Sequence, residues 1–295
     1  MRKLNLVVTC SDRKSLPVST ALRARSLTAS TPDERVAEWR DRFDHAGRGI
    51  PLRDLYQGDH WTQVRRLAAT AANSGYETNL WIASAGLGLR PATDHAPAYG
   101  ATFAGRQADT VGVGATERRM WWTALRPAFG TVHLTDLGGD AALMIVLSAS
   151  YSEALESDLH QVALASADAV LIGGRTAVPG LARVRADGRL RSRLGGSLAS
   201  LNPRMAARWL EEFGGHTLTD PTSLRAWDQW ASEGDVDAPP TRQRLRDDQV
   251  REFIQLQHAK GTMSRSRLLE QLRESGYACE QRRFGALYKE VGVGG

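Results

Sequence analysis

Four short apolar runs constrain the fold of this chain more strongly than any other feature of its sequence. They span residues 4–8, 80–83, 143–147 and 169–172. Each run is mostly Val, Ile, Leu or Ala, so both faces of a strand built from it are apolar, as in a parallel sheet covered by helices on both sides. Helical periodicity lies between the runs, at residues 60–73 and 153–165. This alternation predicts an α/β fold with a central four-stranded parallel sheet flanked by helices.

Small or polar residues follow each apolar run. These are Thr9-Cys10-Ser11-Asp12, Ser84-Ala85-Gly86, Ser148-Ala149-Ser150 and Gly173-Gly174-Arg175. Because ligands of open parallel sheets bind outside the carboxyl ends of the strands, the four strand ends predict one shared pocket. The alternative is that each Ser or Asp only caps the helix that follows it.

The segment LYQGDHW, residues 55–61, is expected near the same crevice. Its Asp59 is a candidate N-cap of the helix that follows. Tyr56 and Trp61 flank this aspartate, and they are either core residues or part of the site.

A long loop that contains Gly and Pro, residues 84–103, is the second segment expected near the crevice. It holds Asp94, His95 and Tyr99. Loops of this length inside a compact domain are usually functional. The chain has no GxxxxGK[ST] motif, and Gly86-Leu87-Gly88 lacks the third glycine of a dinucleotide fingerprint, so we predict no nucleotide cofactor.

The segment RVRADGRLRSR, residues 183–193, predicts a β-hairpin around Asp187-Gly188. Its arginines repeat at period two and are Arg183, Arg185, Arg189, Arg191 and Arg193. Each hairpin arm would present its arginines on one face, either as a phosphate-binding strip or as a solvated surface. A helix is predicted from about residue 203, with Asn202 as its N-cap.

The C-terminal part of the chain resembles a separate module. The polar, proline-containing residues 237–244 are typical of a linker, which predicts one domain over residues 1–236 and a helical module over residues 241–295. Three helices are predicted in the module, at residues 247–259, 264–275 and 279–290. Gly276 suits the end of the second helix, and the short connection to the third resembles a helix-turn-helix.

The third helix of the module carries cations. They are Arg282, Arg283 and Lys289, with Phe284, Leu287 and Tyr288 expected to face inward. Of the net charge of +5, residues 241–295 contribute +4. This basic excess favours contact with DNA. The alternative is a small helical cap whose charges are only solvated.

Composition excludes several classes of protein. With 295 residues, 42% of them hydrophobic, the chain can bury a full core. No apolar run approaches the roughly 20 residues of a membrane span, and charges follow the first run too soon for a secretory signal, so we expect a cytoplasmic protein. Cys10 and Cys279 lie far apart in sequence without a CxxC or Cys/His cluster, so we predict no disulfide framework and no metal site.

The motif VVTCSDRK resembles the CSxxK strand end of a bacterial domain family related to peroxide-stress YaaA-like proteins and to a domain of archaeosine synthases. LYQG, SAGLGL and PAYGATF match the next landmarks of that family in order, so the resemblance covers about residues 4–175. The family core is similar to the uracil-DNA glycosylase sheet. In size and organisation the chain also resembles a bacterial anti-phage glycosylase that excises modified cytosine. It lacks the GQDPYH and HPS motifs, so neither uracil specificity nor the catalytic histidine is implied.

The resemblance implies a DNA glycosylase that flips a modified base, most simply a modified cytosine of phage DNA, and leaves an abasic site. Cleavage of an N-glycosidic bond passes through an oxocarbenium-like sugar and needs a nearby carboxylate. Asp12 is the candidate for that role, with Ser11 and Asp94 sharing the catalytic work. The candidate base contacts are Cys10, Tyr56, Ser84 and Tyr99. The candidate DNA contacts are Lys14, Arg183, Arg185, Arg189, Arg191, Arg282, Arg283 and Lys289.

Two other function classes are open on the sequence. One is a DNA-binding stress or defence protein without catalysis, and the other is an enzyme that exchanges a base for a deazapurine. A lyase reaction through a Schiff base on Lys14 is also conceivable, although the sequence does not mark this lysine as unusual. Double-stranded DNA is the expected partner of a glycosylase and of a DNA-binding protein without catalysis. The sequence leaves the oligomeric state open.

Overall fold

The computed structural model describes residues 1–105, 107–233, 243–259 and 264–291. The chain forms two compact units, Met1–Gly234 and Asp235–Gly295. The predicted domain boundary, between residues 236 and 241, lies outside the described residues, as does most of the predicted linker. No helix within the described ranges is long and apolar enough to cross a membrane.

Strands and helices alternate along the first unit. The strands of the chain are β1 Arg2–Thr9, β2 Ile50–Pro51, β3 Tyr76–Ser84, β4 Gly88–Pro91, β5 His95–Ala96, β6 Ala142–Leu147, β7 Ala169–Gly173, β8 Ala182–Val184, β9 Gln243–Arg244 and β10 Tyr277–Ala278. The helices are α1 Pro32–Asp44, α2 Leu52–Leu55, α3 Asp59–Asn73, α4 Ala115–Phe129, α5 Ala149–Ala154, α6 Glu156–Ala165, α7 Arg191–Leu194, α8 Leu201–Phe213, α9 Pro221–Ser232, α10 Asp247–His258, α11 Arg265–Glu274 and α12 Gln281–Glu290.

The central sheet has the strand order β4-β3-β1-β6-β7-β8. Neighbouring strands are parallel except for β3 and β4, which are antiparallel. The four predicted strands are confirmed as β1, β3, β6 and β7, but the predicted count was wrong, because the described sheet has six strands. The two additional strands lie at the edges and span only four and three residues, too few to form a long apolar run.

β1 is the centre of the sheet and of the core. Val7 lies opposite Trp81 of β3 on one side and Ile145 of β6 on the other. The side chains of Leu4, Leu6, Val7 and Val8 are all fully buried. Their burial explains why the first apolar run is two-sided, since helices cover both faces of a parallel sheet.

The predicted helices are confirmed with three corrections to their boundaries. Gly58, not Asp59, is the N-cap of α3, and Asp59 is the first helical residue. The helix expected at residues 153–165 is interrupted at Leu155, which ends α5 and precedes α6. Asn202 is not an N-cap but lies in the first turn of α8, where its side-chain amide donates to the Leu147 carbonyl, 2.7 Å away.

The predicted arginine hairpin does not form. Residues 182–184 are the parallel edge strand β8, and no antiparallel partner follows them. The Asp187 carboxylate accepts from the backbone N–H of Arg189 and caps a 3-10 turn, Gly188–Leu190, which runs into α7. A local bond between side chain and backbone thus competes with the β-turn that the Asp-Gly pair otherwise favours.

The second unit contains the three predicted helices, α10, α11 and α12. Its core includes Val250, Ile254, Leu268, Leu272 and Phe284. A positive φ of 83° at Gly276 follows α11, as expected for a residue that ends a helix, and the short strands β9 and β10 pair in parallel. α12 begins at Gln281, two residues later than predicted, because the Glu280 carboxylate caps it.

Candidate active site

The topological switch point of the sheet lies between β1 and β6, and we call the region outside the carboxyl ends of these two strands the crevice. After β1 the chain crosses to β3 on one side, and it later returns to β6 on the other side and continues to β7. Strand order reverses at such a point, and the loops at the carboxyl ends of the two strands diverge there. Cys10 follows β1, and its Sγ lies 3.1 Å from the hydroxyl of Tyr151 in α5, which follows β6.

The residues after β1 form a tight turn around Lys14. The Nζ of Lys14 donates to the backbone carbonyls of Ser11, at 2.5 Å, and Asp12, at 3.2 Å. Ser11 is buried, and its hydroxyl donates to the Gln57 carbonyl at 2.6 Å. Asp12 is exposed, and within the described residues its carboxylate makes no hydrogen bond or ion pair. The turn therefore presents one carboxylate without a partner at the end of the central strand.

Lys14 itself is directed inward. Its Nζ lies 5.1 Å from the centre of the Tyr56 ring and 4.8 Å from that of Tyr99. Burial lowers the pKa of Lys14, and the nearby Cys10 and Asp12 oppose this shift. The sequence did not signal this change. The predicted role of Lys14 as a DNA contact stays a prediction, but in this arrangement the ammonium stabilises the turn that carries Asp12.

The partly buried ammonium of Lys14 predicts a pH dependence of stability. The folded-state pKa of Lys14 lies below its ordinary value of 10.5, so between the two values the unfolded chain binds more protons than the folded chain. The free energy of unfolding should therefore rise with pH across this interval, and this contribution should be lost as pH falls through the folded-state pKa. Urea unfolding of the wild type and of Lys14→Met over this range isolates the contribution. A difference between them that stays constant with pH would contradict it.

Three buried hydroxyl groups form a hydrogen-bonded chain beside the turn. The Ser84 Oγ accepts from the backbone N–H groups of Gly86 and Leu87, both at 3.1 Å, so its own proton goes to the Tyr99 hydroxyl at 2.5 Å. The Tyr99 hydroxyl also lies 2.5 Å from the Tyr56 hydroxyl, and either oxygen of this pair can donate. The chain thus connects Ser84 with Tyr56 through Tyr99.

Ser84, Tyr56 and Tyr99 are fully buried. Burial raises the pKa of both tyrosines well above its ordinary value, so both stay protonated at neutral pH and remain donors. Their ring faces are covered in this arrangement, partly by Lys14. Because both side chains are fully buried, contact of a base with either ring or either hydroxyl would require the turn to move, and the predicted base contact by Tyr56 and Tyr99 stays a prediction.

Asp94 is not brought to the crevice. Because β4 runs antiparallel to β3, it carries the chain away from the carboxyl ends of the parallel strands. The Asp94 carboxylate instead pairs with Arg90 at 3.4 Å. It also lines a cavity of about 250 Å³ together with Arg40 and Phe129. The structure shows no contact between Asp94 and Asp12, although the sequence assigned both to one site.

Glu153 is a charged residue near the crevice that the sequence did not indicate. It lies in α5, two residues after Tyr151, and its carboxylate pairs with Arg118 at 2.6 Å and with Arg175 at 3.1 Å. Arg175 lies two residues after the end of β7 and is largely exposed. The only sequence signal was the position of Glu153 soon after an apolar run, which is too common to identify a site.

His60 is a second residue that the sequence did not indicate. Its Nε2 lies 3.0 Å from the Thr9 carbonyl, and its Nδ1 lies 3.0 Å from the Ala199 carbonyl. The imidazole thereby connects the end of β1 with the segment that precedes α8. Its place in LYQGDHW, beside Asp59, was the available signal.

The predicted arginine strip is mostly engaged within the protein. Arg183 donates to the carbonyls of Gly173 and Gly174, at 2.7 and 2.9 Å, and so stabilises the end of β7. Arg189 pairs with Asp187, and Arg191 donates to the Gly196 carbonyl at 3.1 Å. Arg185 is exposed, and its guanidinium makes no hydrogen bond or ion pair with the described residues.

The cations predicted on α12 differ in their surroundings. Arg283 pairs with Asp247 and donates to the Leu245 carbonyl at 2.9 Å, so its guanidinium connects α12 to the start of α10. Arg282 and Lys289 are exposed and lack ion-pair partners among the residues described. Of the three, only these two are free to contact a ligand.

Comparisons of the chain with models of known protein families, with curated proteins and with solved structures found no match. Within the described ranges, no group of three or more His, Cys, Asp and Glu side chains could hold a metal ion.

Proposed function

We propose that this protein is a DNA glycosylase that flips a modified base, most simply a modified cytosine of phage DNA, and hydrolyses its N-glycosidic bond. The observation that carries the proposal is the exposed carboxylate of Asp12 without a described partner, at the carboxyl end of the central strand. An oxocarbenium-like sugar requires such a carboxylate, both to stabilise positive charge and to orient water. A carboxylate held in a structural ion pair would serve this purpose less well.

The surrounding groups support the same chemistry. The hydroxyls of Tyr56 and Tyr99 are hydrogen-bonded to each other, and the Cys10 thiol lies beside the Tyr151 hydroxyl. Burial also raises the pKa of Tyr151 well above its ordinary value, so this hydroxyl stays protonated. Donors of this kind recognise the edge of a flipped base and stabilise it as it leaves with negative charge. Ser11 fixes the turn through its bond to Gln57.

We assign a monofunctional reaction that leaves an abasic site. Lysines that form Schiff bases have a lowered pKa, and the pKa of Lys14 is also lowered. However, its Nζ is bound by two carbonyls of its own turn and faces two tyrosine rings. Attack on the sugar aldehyde would require these contacts to break, which favours hydrolysis over a lyase step.

We also propose that the partner is double-stranded DNA and that the core is uracil-DNA-glycosylase-like. In this proposal the C-terminal module acts in the manner of a helix-turn-helix. The enzyme then works in the cytoplasm against phage. Arg175 and Arg185 are exposed and are candidates for contact with the DNA backbone beside the crevice. Arg185 is the member of the predicted arginine strip that we propose as a contact with the DNA backbone.

The decisive experiment offers the protein genomic DNAs that carry different modifications of cytosine and guanine. Mass spectrometry then detects released bases, and an aldehyde-reactive probe detects abasic sites. Release of one base with an equal number of abasic sites supports the proposal. Binding of DNA without release identifies a non-catalytic protein, whereas incorporation of an added deazapurine without abasic sites identifies base exchange. Either result would overturn the glycosylase assignment.

A further inference from the structure

Three cations of the C-terminal unit are engaged with acidic residues. Arg246 pairs with Asp248, Arg251 with Glu290 and Arg283 with Asp247. Three others, Arg265 of α11 and Arg282 and Lys289 of α12, make no ion pair with the described residues. This division is not visible in the sequence, where both sets are equally basic.

The unpaired set surrounds one cleft. Arg265 at the start of α11, together with Arg282 and Lys289 of α12, lines a cleft of about 570 Å³. The floor of this cleft is formed by Gly285 and Ala286. Because residues 282, 285, 286 and 289 are spaced by three, four and seven positions, they lie on one face of α12. We call this surface the α12 cleft.

The absence of a side chain at Gly285 lets the Arg265 side chain lie close to α12. Gly285 has no side chain, and Arg265 extends over it, since a Cβ atom at this position would lie 3.5 Å from the Arg265 Nη1. Glu280 is the acidic residue of the cleft, but its carboxylate accepts from the backbone N–H groups of Arg282 and Arg283, both at 3.1 Å. The cleft therefore combines three cations with one carboxylate that is already engaged as a helix cap.

We propose that the α12 cleft binds the phosphodiester backbone of duplex DNA. Arg282 and Lys289 are separated by about 10 Å along the helix axis, at 1.5 Å per residue. This separation is similar to the width of the major groove, about 12 Å, so the two side chains reach phosphates on either side of it. Among the described residues that line the cleft, no apolar side chain is larger than that of Ala286, which argues against a membrane surface, where burial of apolar groups is needed.

This inference rests on the proposed function for the identity of the polyanion, but it can fail independently. The test measures binding of the full chain to a labelled, unmodified DNA duplex over a range of salt concentrations. Arg282→Ala with Lys289→Ala removes two cations of the cleft. Arg246→Ala with Arg251→Ala is the matched control, because it removes two cations of the same unit that are paired with carboxylates.

We expect the cleft variant to lose at least about tenfold in affinity at moderate salt, and its salt slope to fall by about 2, close to one unit per phosphate contact. The control should change affinity less than about twofold. Ala286→Glu places a carboxylate in the cleft without removing a cation, and it should weaken binding similarly. Thermal unfolding of each variant verifies that it folds.

Equal losses in the cleft and control variants would overturn the proposal, because they would show a response to net charge alone. Displacement of the duplex by an acidic peptide at lower concentration than by unlabelled duplex would also overturn it, in favour of a protein partner. Single-turnover base release at saturating enzyme separates the two proposals. If the wild type releases no base but the cleft variant still loses DNA affinity, the cleft stands and the glycosylase assignment fails.

Discussion

Asp12→Asn should fold like the wild type and lose base release by at least about a hundredfold, equivalent to roughly 2.7 kcal/mol of transition-state stabilisation. The physical reason is the loss of the negative charge that stabilises the sugar cation, while the exposed side chain keeps its size. Because the Asp12 carboxylate has no described partner, its removal breaks no ion pair. The measurement is single-turnover release of the modified base.

Asp140→Asn is the matched control for this variant. Asp140 is also exposed, but it precedes β6 and therefore lies at the amino ends of the parallel strands, opposite the crevice. It should release the base at the wild-type rate. Excision by Asp12→Asn at nearly the wild-type rate would remove Asp12 from the mechanism, and the search for the catalytic carboxylate would then move to Glu153.

Gly173→Ala should destabilise the protein by about 2–5 kcal/mol in urea unfolding. Gly173 ends β7 with a φ of 90°, a conformation that costs other residues about 1–2 kcal/mol. A Cβ atom there would also lie 2.5 Å from the Leu147 carbonyl oxygen and 2.5 Å from the Asn202 side-chain nitrogen. Relief of these collisions requires β6, β7 and α8 to separate, which adds about 1–3 kcal/mol.

Gly130→Ala measures the conformational part of this cost alone. Gly130 ends α4 with a φ of 59°, and a Cβ atom built on it meets no atom within 4 Å. We expect a loss of about 1 kcal/mol for this variant. If Gly173→Ala lowers the free energy of unfolding no more than Gly130→Ala does, the close contacts at the ends of β6 and β7 add nothing to the cost of the substitution.

The candidate site could be predicted from the sequence only in part. Cys10, Ser11 and Asp12 follow a strand whose burial is indicated by its apolar pattern. Their position at the carboxyl end of that strand could therefore be predicted. Asp94 was misjudged because the short strand β4 reverses the chain after β3, and four residues with one neighbouring strand carry no pattern that reveals this.

The cations show the same limit. Arg282 and Arg283 are adjacent in sequence and chemically identical, yet one is exposed and the other pairs with Asp247, which lies 36 residues earlier. The Arg183 guanidinium likewise binds carbonyls at the end of β7 rather than solvent. Whether a cation can bind a ligand depends on which carboxylate or carbonyl the fold brings to it.

The sequence by itself determined the α/β class, the four central strands, the helical character of the C-terminal unit and the polar strand ends. These properties depend on burial and on local hydrogen bonding, which leave a periodic pattern in neighbouring residues. Only the tertiary structure decided the edge strands, the inward direction of Lys14, the hydroxyl chain from Ser84 to Tyr56, and the division of paired from unpaired cations. Each of these depends on contacts between residues far apart in the chain, where directional hydrogen bonds and close ion pairs form only after the elements have packed.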